Sequence, residues 1–303
     1  MAGTKPRVLL LGAGGQLGML LAKALTQETE LTALSRAELD FTDCEALRAV
    51  IGEARPQIVV NAAAYTAVDK AEQDTELARA VNAVAPGVIA GELAKSNGWL
   101  IHYSTDYVFD GSGIVPWRET DTTGPLSVYG RTKLDGELAI AASGCRHVIL
   151  RTSWVYAAEG RNFLQTMLRL GRERERLSIV DDQVGSPTSA EALTEATRIV
   201  LGYLAGCGDS AAASGLYHLT CSGATSWAGF ARAIFAEFAA QQRVPEVLAI
   251  PTAAYPTPAT RPHNSRLNCE KFVTQFGVQM PSWQDALRDV AATMLASVAA
   301  KKA

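Results

Sequence analysis

Short apolar runs alternate along the first half of the chain with longer stretches whose apolar side chains recur at helical spacing. The runs are rich in Val, Ile and Leu and lie at 7–12, 57–64, 99–109 and 146–156. Amphipathic stretches such as 16–25 separate them. Continuous apolar strands joined by helices are typical of parallel sheets that are covered on both faces. The pattern therefore predicts an α/β fold with a Rossmann-type, doubly wound parallel sheet.

Polar residues in the sequence mark where several helices begin. The segment TDCE has the spacing of a capping box, which predicts a helix with Thr42 as its N-cap and Glu45 three residues later. Further helices are predicted over about 127–142 and 191–204, where apolar positions recur at helical spacing.

The alternation loosens after Tyr156, and a proline-rich loop follows at 250–267. We expect a second, smaller α/β lobe in the C-terminal part of the chain, built from interleaved segments. The predicted Rossmann domain consists of residues 1–156 plus a returning segment at about 177–215. The predicted C-terminal lobe consists of about 157–176 and 216–303.

The composition is that of an ordinary enzyme with a substantial core. The 303 residues are 48% hydrophobic and 19% charged, and the formal net charge is -3. A protein that binds nucleic acid or an anionic membrane in general would need a basic surface, so neither partner is expected. The N-terminal apolar run is too short for a signal sequence or a membrane span. We expect a cytoplasmic protein.

The sequence contains five widely spaced cysteines and no C-x-x-C pair. They are Cys44, Cys145, Cys207, Cys221 and Cys269. No His lies at metal-ligand spacing from any of them. This usage predicts reduced, mostly buried thiols with neither a zinc site nor a disulfide framework.

A glycine-rich loop joins the first predicted strand to the first helix. Gly12, Gly15 and Gly18 form a G-x-x-G-x-x-G pattern, with Gln16 and Leu17 between the last two. Glycine allows a tight turn and lets backbone amides approach a pyrophosphate closely, and the helix N-terminus adds partial positive charge. Because a strand precedes the loop and a helix follows it, we predict a dinucleotide site.

The end of the second strand normally decides between NAD and NADP, because an acidic side chain there repels a 2′-phosphate. Ser35 and Arg36 occupy this position. We therefore expect NADPH to be preferred, with NADH possible; the alternative is that Arg36 is a solvated loop residue. Asp40 and Phe41 follow in the same connection and could hold the adenine. Phe41 could equally be a core residue.

The sequence also contains a candidate proton donor. Tyr129 and Lys133 form a Y-x-x-x-K pair, which places both side chains on one face of a helix. A nearby ammonium favours the phenolate and so brings the pKa of a tyrosine toward useful acidity. Thr105, at the carboxyl end of the strand at 99–105, could donate to a carbonyl oxygen, or it could be only a strand-end cap. Together these residues indicate carbonyl reduction with a nicotinamide cofactor.

Five segments resemble one family within the extended short-chain dehydrogenase/reductase superfamily. They are NAAAYTAVDKAE (61–72), IHYSTDYVFDG (101–111), VYGRTKLDGE (128–137), LRTSWVYAAEGRNF (150–163) and YPTPATRPHNSRL (255–267). They are similar to the dTDP-4-dehydrorhamnose reductases, and the similarity runs from about Val8 to about Trp283. The resemblance implies reduction of the C4 ketone of a dTDP-4-dehydro-sugar in dTDP-L-rhamnose synthesis, a step toward surface polysaccharide.

The resemblance also implies a role for individual residues. Tyr129 would donate the proton, Thr105 would polarise the carbonyl, and Lys133 would bind the nicotinamide ribose. The cofactor would further contact Gly15, Gln16, Leu17, Ala64, Tyr65, Thr66 and Tyr103. The sugar nucleotide would contact Asp106, Trp154, Arg261, Asn264 and Arg266. Trp154 could instead be a core aromatic residue, and the loop with the two arginines could be structural.

The family pattern is not complete at one point. Some members dimerise around Mg²⁺ held by carboxylates, but only Glu191 matches such a position here, while Leu20 and Thr293 stand at the others. No metal is therefore predicted, Glu191 is interpreted as a solvated residue, and a homodimer is a possibility without it. Two other functions stay open: a nucleotide-sugar epimerase that retains NAD, and a non-catalytic NADP-binding regulatory subunit.

Overall fold

The structure is a computed structural model that describes residues 5–206 and 211–300, so Cys207 lies outside the described residues. The strands are β1 (Arg7–Leu11), β2 (Glu30–Leu34), β3 (Ile58–Asn61), β4 (Trp99–Thr105), β5 (Arg146–Thr152), β6 (Val155–Tyr156), β7 (Arg176–Val180), β8 (Val184–Gly185), β9 (Thr188–Ser189), β10 (Gly215–His218), β11 (Thr225–Ser226), β12 (Glu246–Ile250) and β13 (Asn264–Ser265).

The α-helices are α1 (Gln16–Leu25), α2 (Cys44–Ala54), α3 (Val68–Ala71), α4 (Thr75–Arg79), α5 (Ala85–Ser96), α6 (Val128–Ala142), α7 (Phe163–Glu173), α8 (Ala190–Gly206), α9 (Trp227–Glu237), α10 (Glu270–Phe276) and α11 (Trp283–Ala300). A π-helical turn at Ala80–Val84 joins α4 to α5. Short 3-10 turns lie at Asp106–Val108 and Thr252–Ala254.

A six-stranded parallel sheet forms the centre of the protein, with the strand order β10-β5-β4-β3-β1-β2. The predicted α/β, doubly wound fold is confirmed. Alternate residues of β1 point to opposite faces: Val8 and Leu10 pack in one core, Leu9 and Leu11 in the other. The chain order reverses between β1 and β3, so their carboxyl ends open a crevice of the kind that binds ligands.

Smaller sheets lie outside this one. β7 pairs with β12, β8 pairs with β11 and β13, and β6 pairs with β9. In contrast, β10 joins the central sheet and α8 packs against α1. The division into two domains stays a prediction; the pairings place β7 with the C-terminal strands and β10 with the Rossmann sheet.

The predicted start of α2 is wrong by one residue. Asp43 is the N-cap, and its carboxylate accepts from the amides of Glu45 and Ala46. Thr42 instead donates from its amide and hydroxyl to Asp40. A carboxylate next to Thr42 therefore takes the capping position, whereas Ser127 caps α6 through the amide of Gly130.

The continuous helix Thr75–Ser96 is long and apolar enough to cross a membrane by length and composition. Within it, 44% of the most apolar window is buried in the protein. Buried helices of the cores of soluble proteins pass the same test, so this helix is weak evidence for a membrane span.

Candidate active site

The glycine turn lies at the carboxyl end of β1, where α1 begins. Gly12 has φ +88°, and a Cβ there would lie 2.5 Å from the amide nitrogen of Ala63. A Cβ on Gly18 would lie 2.0 Å from the carbonyl oxygen of Gly12. Gly15 differs, since a Cβ there would make only an ordinary 3.4 Å contact. The protein's own packing thus requires Gly12 and Gly18, while Gly15 borders open space in front of the helix N-terminus.

A cavity of about 480 Å³ lies in front of this turn. Among the predicted cofactor residues it brings together Gly12, Gly15, Ser35, Arg36, Asp40, Phe41, Ala64 and Tyr65. Arg36 is exposed at its edge, and Phe41 is buried and packs in the core as well as lining the cavity. Its residues come from the ends of β1, β2 and β3, which is where an adenosine would bind in this fold.

The backbone of Tyr65 is held by a residue that the sequence analysis missed. The buried side chain of Asn82 accepts from the amide of Tyr65 at 2.8 Å and donates to its carbonyl oxygen at 3.1 Å. It also donates to the hydroxyl of Thr132 in α6. Asn82 lies in the π-helical turn, a deformation that is frequent at functional sites. Thr66 is exposed and does not line the cavity.

Thr105 and Tyr129 meet at the carboxyl end of β4. Thr105 is buried and its hydroxyl accepts from the amide of Tyr107, and the same hydroxyl lowers the pKa of the Tyr129 phenol. Burial acts more strongly in the other direction and raises the pKa of Tyr129 to about 12. The ring of Tyr107 packs edge-on against Tyr129. The expected acidic phenol is therefore not present in the chain by itself.

Lys133 lies in α6, four residues after Tyr129, and its side chain is fully buried. Its Nζ donates to the carbonyl oxygen of Tyr103 at 2.6 Å and lies 3.1 Å from Nε2 of His102. Burial lowers the pKa of Lys133 to about 8, and the nearby Glu137 carboxylate partly opposes this shift. The phenol of Tyr103 bonds to Thr197 in α8, so its backbone, rather than its side chain, faces Lys133.

Asp106 is enclosed beside Thr105. The Thr105 hydroxyl donates to its carboxylate at 3.1 Å, and the hydroxyls of Ser265 and Ser153 also stabilise the charged form. Burial outweighs these hydroxyls and raises the pKa of Asp106 to about 7. Ser153 and Ser265 were not identified from the sequence. They come from the end of β5 and from β13, so the site joins the central sheet to a C-terminal strand.

Trp154 has a positive φ of 50° and stacks face to face on Trp227, with ring centroids 3.5 Å apart. Gly185 packs against the indole, since a Cβ there would lie 2.7 Å from it. The indole nitrogen of Trp227 in turn donates to Gln183. Trp154 therefore lies in an aromatic cluster of the C-terminal part while its backbone follows Ser153 at the site.

The predicted phosphate-binding loop makes several internal contacts. Arg261 pairs with Asp69 at 2.7 Å. The buried amide of Asn264 donates to the carbonyl oxygens of Ser112 and Val115, and accepts from Nε of Arg266. Asn264 thus holds the exposed loop after β4, and these contacts place its neighbour Ser265 against Asp106. Arg261 and Arg266 lie near the site, but each already bonds to another side chain, Arg261 to Asp69 and Arg266 to Asn264.

Two further predictions concern Gln16 and Glu191. The side-chain oxygen of Gln16 accepts a hydrogen bond from Asn162 at 2.8 Å. Gln16 is not among the residues that line the cavity in front of α1. The interpretation of Glu191 as solvated is wrong, because its carboxyl is largely buried and burial raises its pKa. Over residues 5–206 and 211–300, no group of three or more His, Cys, Asp or Glu side chains is placed to hold a metal ion.

The family model described as the RmlD substrate binding domain matches residues 6–296. The chain belongs to this RmlD family. The dTDP-4-dehydrorhamnose reductase of Escherichia coli strain K12 is 47% identical over 285 residues, covering 91% of this chain and 94% of that relative. The reductase of the same name from Burkholderia thailandensis is 46% identical, covering 93% and 96%.

Solved structures of RmlD relatives share the whole fold. A dTDP-4-dehydrorhamnose reductase from Bacillus anthracis in complex with NADP has a TM-score of 0.86 and 35% identity, covering 95% of this chain and 99% of that one. UDP-glucose 4-epimerase from Thermus thermophilus in complex with NAD has a TM-score of 0.79 at 18% identity, covering 95% and 98%. That second likeness concerns the fold alone.

Proposed function

We propose that this RmlD-family protein reduces the C4 ketone of dTDP-4-dehydro-L-rhamnose to dTDP-L-rhamnose with NADPH. The observation that carries the proposal is that Tyr129, four residues before the buried Lys133 in α6, packs against Tyr107 and lies beside Thr105 at the carboxyl end of β4. Two hydroxyls at the carboxyl edge of the sheet can donate hydrogen bonds to a carbonyl oxygen that develops negative charge during reduction. The relatives' names supply the identity of the sugar nucleotide.

The chain's residues fit the cofactor. Gly15 leaves the N-terminus of α1 open, where the first amides of a helix have no intrahelical acceptors and attract an anion such as a pyrophosphate. Arg36 at the edge of the cavity would accept the 2′-phosphate, and among the described residues Asp40 is the only acidic one that lines that cavity. We therefore expect NADPH to be preferred over NADH. When bound, NADPH supplies the hydride.

Tyr129 provides the proton in this mechanism. The sugar's carbonyl oxygen accepts a hydrogen bond from Tyr129, and a second from Thr105 once its hydroxyl turns away from Asp106. As C4 receives the hydride, the phenol proton passes to that oxygen. A raised pKa keeps Tyr129 protonated at neutral pH, so the donor is present at the start. The Lys133 ammonium, on the same face of α6, stabilises the phenolate that is left.

The substrate's remaining groups would contact the enclosure around Asp106 and the loop with Arg261 and Arg266. Asp106 is placed to bond a sugar hydroxyl, and its raised pKa allows it to donate as well as accept near neutral pH. The two arginines would meet the diphosphate, and Arg261 would then exchange part of its contact with Asp69.

The test is NADPH oxidation with dTDP-4-dehydro-L-rhamnose, followed by NMR of the product to establish the C4 configuration. Tyr129→Phe should lower kcat by about 10²–10⁴-fold, the usual contribution of a general acid, while the Kd for NADPH changes little. Tyr217→Phe is the control, because it removes a buried phenol that donates to Ala213 away from the site. Undiminished kcat in Tyr129→Phe would refute the assignment.

The same assay distinguishes the alternatives. An epimerase would convert substrate with no added NADPH, and a regulatory subunit would bind NADPH without oxidising it. A homodimer and a cytoplasmic location stay predictions, and light scattering on the purified protein measures the first.

A further inference from the structure

A chain of buried polar groups leads from the end of β3 to Lys133. Asn61 is buried, and its Oδ1 accepts from the amide of Ala63 at 3.1 Å. Its Nδ2 lies 3.1 Å from Nδ1 of His102, and Nε2 of His102 lies 3.1 Å from Nζ of Lys133. His102 has no exposed surface, and burial lowers its pKa well below the usual value. The ring is therefore neutral and carries a single N–H proton.

The backbone amide of Ala63 determines the direction of these hydrogen bonds. An amide N–H can only donate, so the atom of Asn61 that faces it is the oxygen. The NH₂ group of Asn61 must then donate to Nδ1 of His102. Because Nδ1 acts as the acceptor, the proton of the neutral ring is on Nε2, and it points at Lys133.

Lys133 can satisfy this donor only as a neutral amine. An ammonium group has three donors and no acceptor, whereas the neutral amine has a lone pair. With the lone pair toward His102, an N–H of Lys133 still donates to the carbonyl oxygen of Tyr103. In the ammonium form, an N–H of His102 and the hydrogens of Nζ face each other at 3.1 Å.

We propose that His102 is a positioning residue whose Nε2–H bonds to the neutral amine of Lys133, and so lowers the pH at which the Lys133 ammonium of the proposed mechanism is lost. This inference rests on the role of Lys133 in the proposed function. Among the described residues, the other charged or titratable groups beside Lys133 are Glu137 and Tyr129 of the same helix, and Arg151 of β5 pairs with Glu137. Glu137 acts in the opposite sense, since it raises the pKa of Lys133.

The first experiment determines the tautomer of His102 by long-range ¹H–¹⁵N NMR of the ¹⁵N-histidine-labelled protein. We expect Nε2–H with an unprotonated Nδ1, unchanged between pH 6 and 8. His218 is an internal reference with the opposite expectation, because its Nδ1 faces the carbonyl oxygen of Trp117 and must donate. This measurement needs no turnover, so its result is independent of the proposed reductase activity. A proton on Nδ1 of His102 would overturn the inference.

The second experiment measures the pH dependence of kcat/KM in His102→Leu. Loss of a donor to the amine should raise the pKa of Lys133 and move the alkaline limb upward by about half to one pH unit, the size of one net hydrogen bond. If His102 instead accepted from an ammonium, the limb would move downward. A downward shift or an unchanged limb therefore contradicts the inference. His218→Leu, which also removes a buried neutral histidine, should leave the limb in place.

Discussion

Replacement of the three glycines of the β1–α1 turn by alanine separates their roles in folding and in cofactor binding. Gly12→Ala places a Cβ 2.5 Å from a backbone nitrogen at φ +88°, and Gly18→Ala places one 2.0 Å from a backbone oxygen. In both cases the obstructing atom is in the main chain and cannot rotate away. Gly15→Ala meets nothing closer than 3.4 Å, at the extended φ of -82° that any residue adopts.

The magnitudes follow from these contacts. A left-handed residue other than glycine costs roughly 1–2 kcal/mol and overpacking costs about 1–3 kcal/mol, so Gly12→Ala should lower the free energy of unfolding by about 2–5 kcal/mol. Gly18→Ala carries only the second cost, about 1–3 kcal/mol or more given the shorter contact. Gly15→Ala changes an N-cap glycine to alanine, which costs under about 1 kcal/mol.

The effect on NADPH binding should run in the reverse order. The methyl group of Gly15→Ala would keep the pyrophosphate from the amides at the start of α1, and loss of one charge-assisted hydrogen bond, about 1.5–3 kcal/mol, weakens binding by roughly 10–100-fold. Urea denaturation measures the free energies of unfolding, and calorimetry measures the Kd for NADPH. The reasoning is refuted if Gly15→Ala is as unstable as Gly12→Ala, or if it binds NADPH with unchanged affinity.

Two further changes test the buried charges. Glu137→Gln leaves Arg151 without its carboxylate partner, in a pair whose side chains are both 4% exposed, so the free energy of unfolding should fall by about 3–5 kcal/mol. The double change Glu137→Leu with Arg151→Met removes both charges and should lower the free energy of unfolding far less. Additive losses in urea denaturation would contradict this. Because the pKa of Asp106 is near 7 in the native chain and near 3.8 when unfolded, the native chain binds more protons between these values, and stability should fall as pH rises through that window. Asp106→Asn should therefore gain stability relative to the parent from pH 4 to pH 8, by at most about 4 kcal/mol, and equal pH dependence of the two proteins would disprove the shift.

Local patterns were sufficient for the central sheet. The continuous apolar strands, the helix between each pair and the glycine turn after β1 were predicted because each depends on neighbours within a few residues. The start of α2 was predicted wrongly for a local reason too: Asp43, beside Thr42, is the stronger competitor for the free amides.

Contacts between distant segments could not be predicted in the same way. Asn82 and His102 lie in apolar stretches, and the only signal in the sequence is a polar residue where an apolar one is expected. What each one bonds depends on residues 17 to 50 positions away, such as Tyr65 and Thr132 for Asn82. Ser265 reaches Asp106 from a strand more than 150 residues later.

The electrostatic state of the site also depends on the tertiary structure. The sequence placed Tyr129 and Lys133 on one face of a helix, because that spacing is a property of the helix itself. It predicted that the lysine would make the phenol more acidic, whereas burial raises the pKa of Tyr129 to about 12 and lowers that of Lys133 to about 8. Burial is set by all the elements packed around a residue, so it cannot be predicted from a short motif.

The sequence by itself determined the α/β fold, the glycine turn and the spacing that places Tyr129 and Lys133 on one face of a helix, since these depend on periodicity, spacing and local backbone geometry. Only the tertiary structure decided which atoms of these residues make contacts. It determined that the backbone of Tyr103 contacts Lys133, that Trp227 stacks on Trp154, and in which direction the hydrogen bonds run from Ala63 to Lys133. The physical reason is that desolvation and hydrogen-bond direction arise from atoms that are brought together only when distant parts of the chain pack.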